Sequence, residues 1–200
     1  MLSTNSLFIN KANIYLSNLN NIFSDEILGK VESLAKDLLI AWENDRNVFI
    51  CGNGGSAANA IHIANDFHYG IGACGSTKII PGIKVDALSA NQGVLTCLAN
   101  DTGYENIFAQ QLTVKAKSDD LLIVLSGSGN SPNVVKALET AKLMKLKSFA
   151  ITAFNGGKCK SLCDISLHFP IDDMQIAEDT QLIVTHICMQ WLSLNKPIKN

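Results

Sequence analysis

The stretch Asn47-Val48-Phe49-Ile50-Cys51-Gly52-Asn53-Gly54-Gly55-Ser56-Ala57-Ala58 runs from a short apolar segment straight into a glycine turn and then into residues that favour a helix. A run of about five apolar residues with no polar alternation is what a strand looks like when both of its faces are buried, as in a parallel sheet. The same short runs recur at Ile83–Leu88, Leu121–Leu125, Ser148–Thr152 and Ile165–Phe169. Between them the spacing predicts helices over Ser56–His68, Ala90–Leu98, Tyr104–Lys115, Pro132–Met144 and Gln175–Leu194. Strand and helix in alternation imply an α/β fold: a three-layer αβα sandwich around a five-stranded parallel sheet.

Ahead of the first strand, residues 6–22 and 25–44 carry apolar positions at helical spacing, with Leu28, Val31, Leu34, Leu38, Leu39 and Trp42 on one face of the second segment. Two N-terminal helices are therefore expected over residues 1–45, one against the flank of the sheet and the first at a subunit interface. No linker, repeat or low-complexity tract divides the chain, so residues 1–200 read as a single domain. The stretch Gly70–Gly82, rich in glycine, reads as a loop.

Hydrophobic residues make up 47% of the chain and charged residues 17%, a balance that folds rather than stays disordered. The net charge of −2, with acids and bases interspersed, provides no basic stripe for a nucleic acid backbone. Six cysteines stand at 51, 74, 97, 159, 163 and 188 without a CxxC pair, and most lie in apolar runs, as reduced structural thiols do. Met1–Asn20 lacks the layout of a secretory signal, and no apolar run is long enough for a membrane span. A cytoplasmic protein is expected, with neither nucleic acid nor membrane as partner.

Two loops follow predicted strands and open helices. In Gly52-Asn53-Gly54-Gly55-Ser56 the glycines permit positive φ and let backbone N–H groups approach a ligand at a helix N-terminus. The pattern matches a dinucleotide fingerprint only in part, since no acidic residue closes the next strand in the ribose position, and no nucleotide cofactor is expected. In Ser126-Gly127-Ser128-Gly129-Asn130-Ser131-Pro132, three hydroxyls and two glycines precede a helix whose first turn accepts proline. Such a nest suits a phosphate monoester, and a plain helix start capped by Ser131 is the structural alternative. Carboxyl ends of parallel strands are where ligands bind in open α/β sheets.

Of the four histidines, His62 lies four residues before Asp66 on the helix that leaves the first loop, so the two share a face. Glu178 and His186 sit on the last helix, eight positions and about 12 Å apart along its axis, too far for one ion bound by one ideal helix. His, Asp, Glu and His are suitable ligands for zinc or another divalent cation. They equally suit a carboxylate base and an imidazole acid that move a proton between adjacent carbons of a sugar. His168, within a strand, reads as a core residue, and His68 as a residue facing solvent or a loop.

Together, GNGGSAANAIHIANDF at 52–67, ANDTGYENIFAQQL at 99–112, SGSGNSPNVVKALETA at 126–141, TAFNGGK at 152–158 and AEDTQLIVTH at 177–186 resemble the sugar isomerase (SIS) family, a flavodoxin-like fold, and within it the phosphoheptose isomerase branch. The resemblance implies conversion of sedoheptulose 7-phosphate to D-glycero-D-manno-heptose 7-phosphate through an enediol. It implies that Asn53, Gly54, Gly55, Ser56, Asn100, Asp101, Ser126, Gly127, Ser128 and Ser131 hold the sugar phosphate, with the phosphate on the last four. It places the metal on His62, Asp66, Glu178 and His186, with Asp66 also the base, His186 the acid and Glu178 also a substrate contact. A divalent ion, zinc foremost, and a homotetramer with shared active sites complete the expectation.

Three positions depart from the branch: Asp66 stands where Glu is frequent, Glu178 where Gln is frequent, and Gly127 where Thr is frequent. The first shortens the base by about one methylene, a displacement that matters for proton transfer. The alternatives are a non-catalytic SIS protein, a phosphosugar sensor or a replication-initiation adaptor, or an isomerase of another sugar phosphate. His186, which such adaptors can lose, is present.

Overall fold

The computed structural model describes residues 4–74 and 78–198, so residues 75–77 of the loop expected over 70–82, and both extremities of the domain expected over 1–200, lie outside the described residues. Helices α1 (Thr4–Asn21) and α2 (Asp25–Glu43) lead into strand β1 (Asn47–Gly52). Helix α3 (Gly55–Asn65) follows, extended by a π-helical turn over Asp66–Gly70 and the short α4 (Ile71–Ala73). Strand β2 (Lys84–Ala87), α5 (Gln92–Thr102), a 3-10 turn (Tyr104–Asn106) and α6 (Ala109–Lys115) come next. The chain closes with β3 (Leu121–Ser126), α7 (Pro132–Leu143), β4 (Lys147–Thr152), α8 (Cys159–Leu162), β5 (Ile165–His168) and α9 (Met174–Leu194).

All strand pairs are parallel and the sheet order is β2-β1-β3-β4-β5, as in flavodoxin-like folds. Successive side chains of a strand point to opposite faces, and the core divides accordingly. Leu121, Ile123 and Leu125 of β3 pack with Leu34, Leu38 and Trp42 of α2, Ile63 of α3 and Val184 and Leu192 of α9. Leu122 and Val124 pack on the other face with Phe108, Leu112, Val134 and Leu138. These side chains are almost fully buried, and each contributes about 1.5–3 kcal/mol relative to exposure. Because both faces need apolar cover, the strands carry no alternation, which is why their sequence reads as continuous runs.

Helix α2 thus belongs to a covering layer, and the Trp42 indole N–H donates to the Pro81 carbonyl at 2.9 Å. Ser24 caps α2, accepting from the Ile27 N–H at 3.3 Å. Helix α1 lies further out, meeting the body through a hydrogen bond from the Tyr15 hydroxyl to Asp179 on α9. No helix among the described residues is long and apolar enough to cross a membrane.

Five local expectations are corrected. The helix expected through His68 leaves α geometry at Asp66 and widens into the π turn, and Gly70–Ala73, expected as loop, are helical. The helix expected over Tyr104–Lys115 is broken between Asn106 and Ala109, where buried Ile107 and Phe108 turn into the core. Asn91 caps α5 through Val94 N–H at 3.1 Å, so α5 starts later and runs to Thr102, which puts Asn100 and Asp101 in its last turn. The short α8 was not foreshadowed by periodicity. His168 is only partly buried, its ring bonded to Lys160 and the Phe154 carbonyl, so it is a strand-end residue and not a core one.

Candidate active site

In this strand order the chain leaves β1 toward β2 on one side and returns as β3 on the other, so the carboxyl ends of β1 and β3 flank the switch point. A cleft of about 300 Å³ opens there, and both loops line it: Asn53, Gly54, Gly55 and Ser56 on one side, Ser126, Gly127, Ser128 and Ser131 on the other, with Met174 and Glu178 of α9 across from them. A larger cavity of about 480 Å³ between α2 and β5, reaching Lys30, Lys160 and His168, shares no residue with it.

The first loop turns on Gly54, at φ +56°, before α3 begins. A Cβ at Gly55 would lie 2.3 Å from Glu178 Oε1, so a side chain there would push the carboxylate out of its place. The glycine loop is therefore where the Glu178 carboxylate enters the cleft. Buried Gln181, one turn along α9, donates to Ser56 Oγ at 2.9 Å and accepts from Asn59 Nδ2 at 3.0 Å, while Asn59 also donates to the Glu178 carbonyl at 3.0 Å. These bonds join the starts of α3 and α9.

The second loop is shaped by its own hydroxyls. Ser126 Oγ accepts from Gly129 N–H at 3.1 Å and Ser128 Oγ from Asn130 N–H at 3.3 Å. The 152–158 segment backs this loop: Ala153 N–H donates to Gly127 O, Cys159 N–H to Gly129 O, and Lys158 N–H to Asn130 Oδ1. Gly129 sits at φ +64°, and a Cβ there would come within 2.0 Å of Gly156 O. Ser131 occupies the N-cap position of α7 without a side-chain capping bond, so the plain capped-helix alternative is not realised. Asn100 and Asp101 do not line the cleft. They are exposed and bonded to each other, Nδ2 to Oδ1, at 2.7 Å.

The ionisable groups gather at a second place. His62 Nε2 and His186 Nε2 stand 3.1 Å apart, and Asp66 Oδ2 lies 3.5 Å from the former and 3.3 Å from the latter. Helix spacing brings His62 and Asp66 together, and the packing of α9 on α3 brings in His186. The Asp66 carboxylate is mostly covered, and the two imidazoles, met edge to face, are half exposed. One carboxylate and two imidazoles within 4.8 Å of one another fit a divalent cation of the zinc type. Glu178 is not part of this cluster. It lies in the cleft near the start of α9, about two turns before His186, in keeping with the spacing of the sequence.

Asn133, passed over in the sequence, joins the two loops. Its amide exchanges two hydrogen bonds with that of Asn53, each 2.8 Å, and the Tyr104 hydroxyl donates to Asn53 Oδ1 at 3.0 Å. An Asn beside a helix-starting proline has no local signature of such a role. Only the distance along the chain collapsing on folding creates it.

The SIS domain model matches residues 10–153. A phosphoheptose isomerase of Helicobacter pylori is 33% identical over 197 residues, covering 91% of this chain and all of the relative. A phosphoheptose isomerase of Aliarcobacter butzleri is 36% identical over 82% of this chain and 83% of its own. Among solved structures, a phosphoheptose isomerase from Francisella tularensis superposes with a TM-score of 0.79 at 25% identity, over 98% of this chain and 100% of that one. Fold, strand-end loops and these similarities agree, and the chain belongs to the SIS domain family, on its phosphoheptose isomerase branch.

Proposed function

We propose that the protein interconverts sedoheptulose 7-phosphate and D-glycero-D-manno-heptose 7-phosphate by proton transfer through an enediol. The observation that carries this reading is the Asp66–His186 contact at 3.3 Å in a chain of this branch: a carboxylate and an imidazole side by side, further along the same two helix segments whose starts border the cleft of the two strand-end loops. The phosphate rests against the N–H groups and hydroxyls of Ser126, Gly127, Ser128 and Ser131, where the start of α7 adds its positive dipole end. Asn53, Ser56 and Glu178 face the sugar hydroxyls. Asp66 takes a proton from the carbon next to the carbonyl, exchanges it with solvent and delivers a proton to the former carbonyl carbon, while His186 supplies a proton to the carbonyl oxygen and takes one back from the other oxygen.

His62, Asp66 and His186 would hold a divalent cation, zinc foremost by the donor set. Bound there, it would neutralise charge on the enediol oxygens. Glu178 joins such a site only from another chain. This, the rise of about 12 Å between Glu178 and His186, and the exposed Leu7, Phe8, Ile9, Ile14 and Leu16 of α1 support a homotetramer with sites assembled between subunits. Asn100 and Asp101, outside the cleft of their own chain, fit the same reading. The cytoplasm is the compartment where such a sugar phosphate is made and used.

Incubation with sedoheptulose 7-phosphate should yield an aldose phosphate, and His186→Ala should abolish this while the assembly stays intact. Turnover that survives in the variant would remove His186 from the acid role.

A further inference from the structure

Asn53 carries the one side-chain amide of the first loop, and which end of that amide, donor or acceptor, faces the cleft is set from a distance. The Val134 backbone N–H can only donate, and it lies 2.9 Å from the side-chain oxygen of Asn133. That fixes which end of the Asn133 amide is oxygen, in a side chain that is 1% exposed. The Asn133 Nδ2 must then donate to the oxygen of Asn53, and the Asn133 Oδ1 accepts from Asn53 Nδ2, both at 2.8 Å. Tyr104 donates to the same Asn53 oxygen at 3.0 Å. Asn53 Oδ1 thus has both acceptor sites filled, and Nδ2 retains one hydrogen beyond the one given to Asn133.

We infer that Asn133, with Tyr104, is a positioning residue that fixes the Asn53 amide as a donor toward the cleft, so that this position selects an acceptor oxygen on the bound sugar phosphate. The chain of orientation runs from a backbone N–H through a buried amide to the substrate-facing one, across 80 residues of sequence. An amide free to rotate by half a turn would present oxygen as often as nitrogen, and the locked one presents nitrogen alone. The same bridge ties the glycine loop of β1 to the first turn of α7, so the two sides of the cleft keep a fixed separation.

The inference rests on the isomerase reading and on Asn53 meeting the substrate, and one kinetic series separates it from both. Asn133→Asp keeps the size of the side chain and the oxygen toward Val134 but cannot donate to Asn53, and Tyr104→Phe removes only an exposed hydroxyl. In steady-state turnover of sedoheptulose 7-phosphate, Asn133→Asp should raise KM roughly tenfold and Tyr104→Phe roughly threefold, with kcat little changed, as expected when a binding hydrogen bond is misdirected. In an Asn53→Ala background, neither change should raise KM further. An active wild-type protein whose KM ignores both substitutions, or in which Asn133→Asp acts equally with and without Asn53, would overturn the positioning role. A KM that moves only together with the thermal midpoint in both variants would overturn it too, by reducing Asn133 to a structural residue. A wild-type protein inert toward the sugar phosphate would take down the isomerase reading and this inference with it.

Discussion

Asp66 Oδ2 lies 3.3 Å from His186 Nε2, although 120 residues separate them and only the packing of α9 on α3 brings them together. A carboxylate and an imidazole held side by side are a pair suited to moving protons between a carbon and the oxygens beside it. Replacing Asp66 by Asn keeps shape and removes the proposed base. We expect kcat to fall by about 10²–10⁴-fold, the usual worth of a positioned acid or base, with unchanged far-ultraviolet circular dichroism.

The same three side chains are the proposed metal ligands. Protein purified without added ions should carry zinc or another divalent metal on elemental analysis, and His62→Ala should lose most of it, because one of the three clustered ligands is gone. Chelation should lower the thermal midpoint of the wild-type protein and leave that of His62→Ala unchanged, since an ion that binds only the folded state stabilises it. Full activity in metal-free protein would make His62 a substrate contact instead.

Gly129 fixes the Ser-rich loop against the 152–158 segment. An alanine there faces both a φ of +64° and a Cβ 2.0 Å from Gly156 O, a backbone atom that cannot swing aside. Gly129→Ala should cost about 1–3 kcal/mol of stability in urea unfolding and should weaken binding of inorganic phosphate. Gly55→Ala should differ in kind. Its neighbour is the end of the flexible Glu178 side chain, so stability should hardly change while KM rises.

Tyr15 anchors α1. Loss of hydration, followed by its hydrogen bond to Asp179, pushes the phenol from its usual 10 up to about 12. The folded chain therefore holds this proton more tightly than the unfolded one, so the contribution is complete below pH 10 and fades as pH rises toward 12. Tyr15→Phe should lower stability by about 1 kcal/mol at neutral pH, once solvent screening is allowed for. The gap between the two proteins should shrink between pH 10 and 12, as thermal unfolding at the two pH values would show.

How much of this was legible in the sequence depended on the range of the interaction. The five strands stood out because burial on both faces leaves unbroken apolar runs such as Leu121–Leu125. The two loops stood out because positive φ and close approach demand glycine at Gly54 and Gly129. The helical spacing of His62 and Asp66 placed them on one face, and the rise between Glu178 and His186 foretold that the two would not share a site within one chain. The π turn at Asp66–Gly70 left no trace, since apolar periodicity does not distinguish an i+4 from an i+5 bond over one turn. The break at Ile107 and Phe108 was hidden in a helix-like pattern because two adjacent core side chains won over helix propensity. Asn133, Asn59 and Gln181 were missed because their partners are distant in sequence and an amide carries no periodic signal.

The most direct test of proton transfer between Asp66, His186 and the sugar is isomerisation of sedoheptulose 7-phosphate in deuterium oxide, followed by nuclear magnetic resonance. An enediol pathway predicts deuterium at C1 of the recovered ketose and at C2 of the aldose, both lost in Asp66→Asn. Conversion by the wild-type protein with no solvent deuterium at either carbon, or exchange that persists in Asp66→Asn, would contradict it.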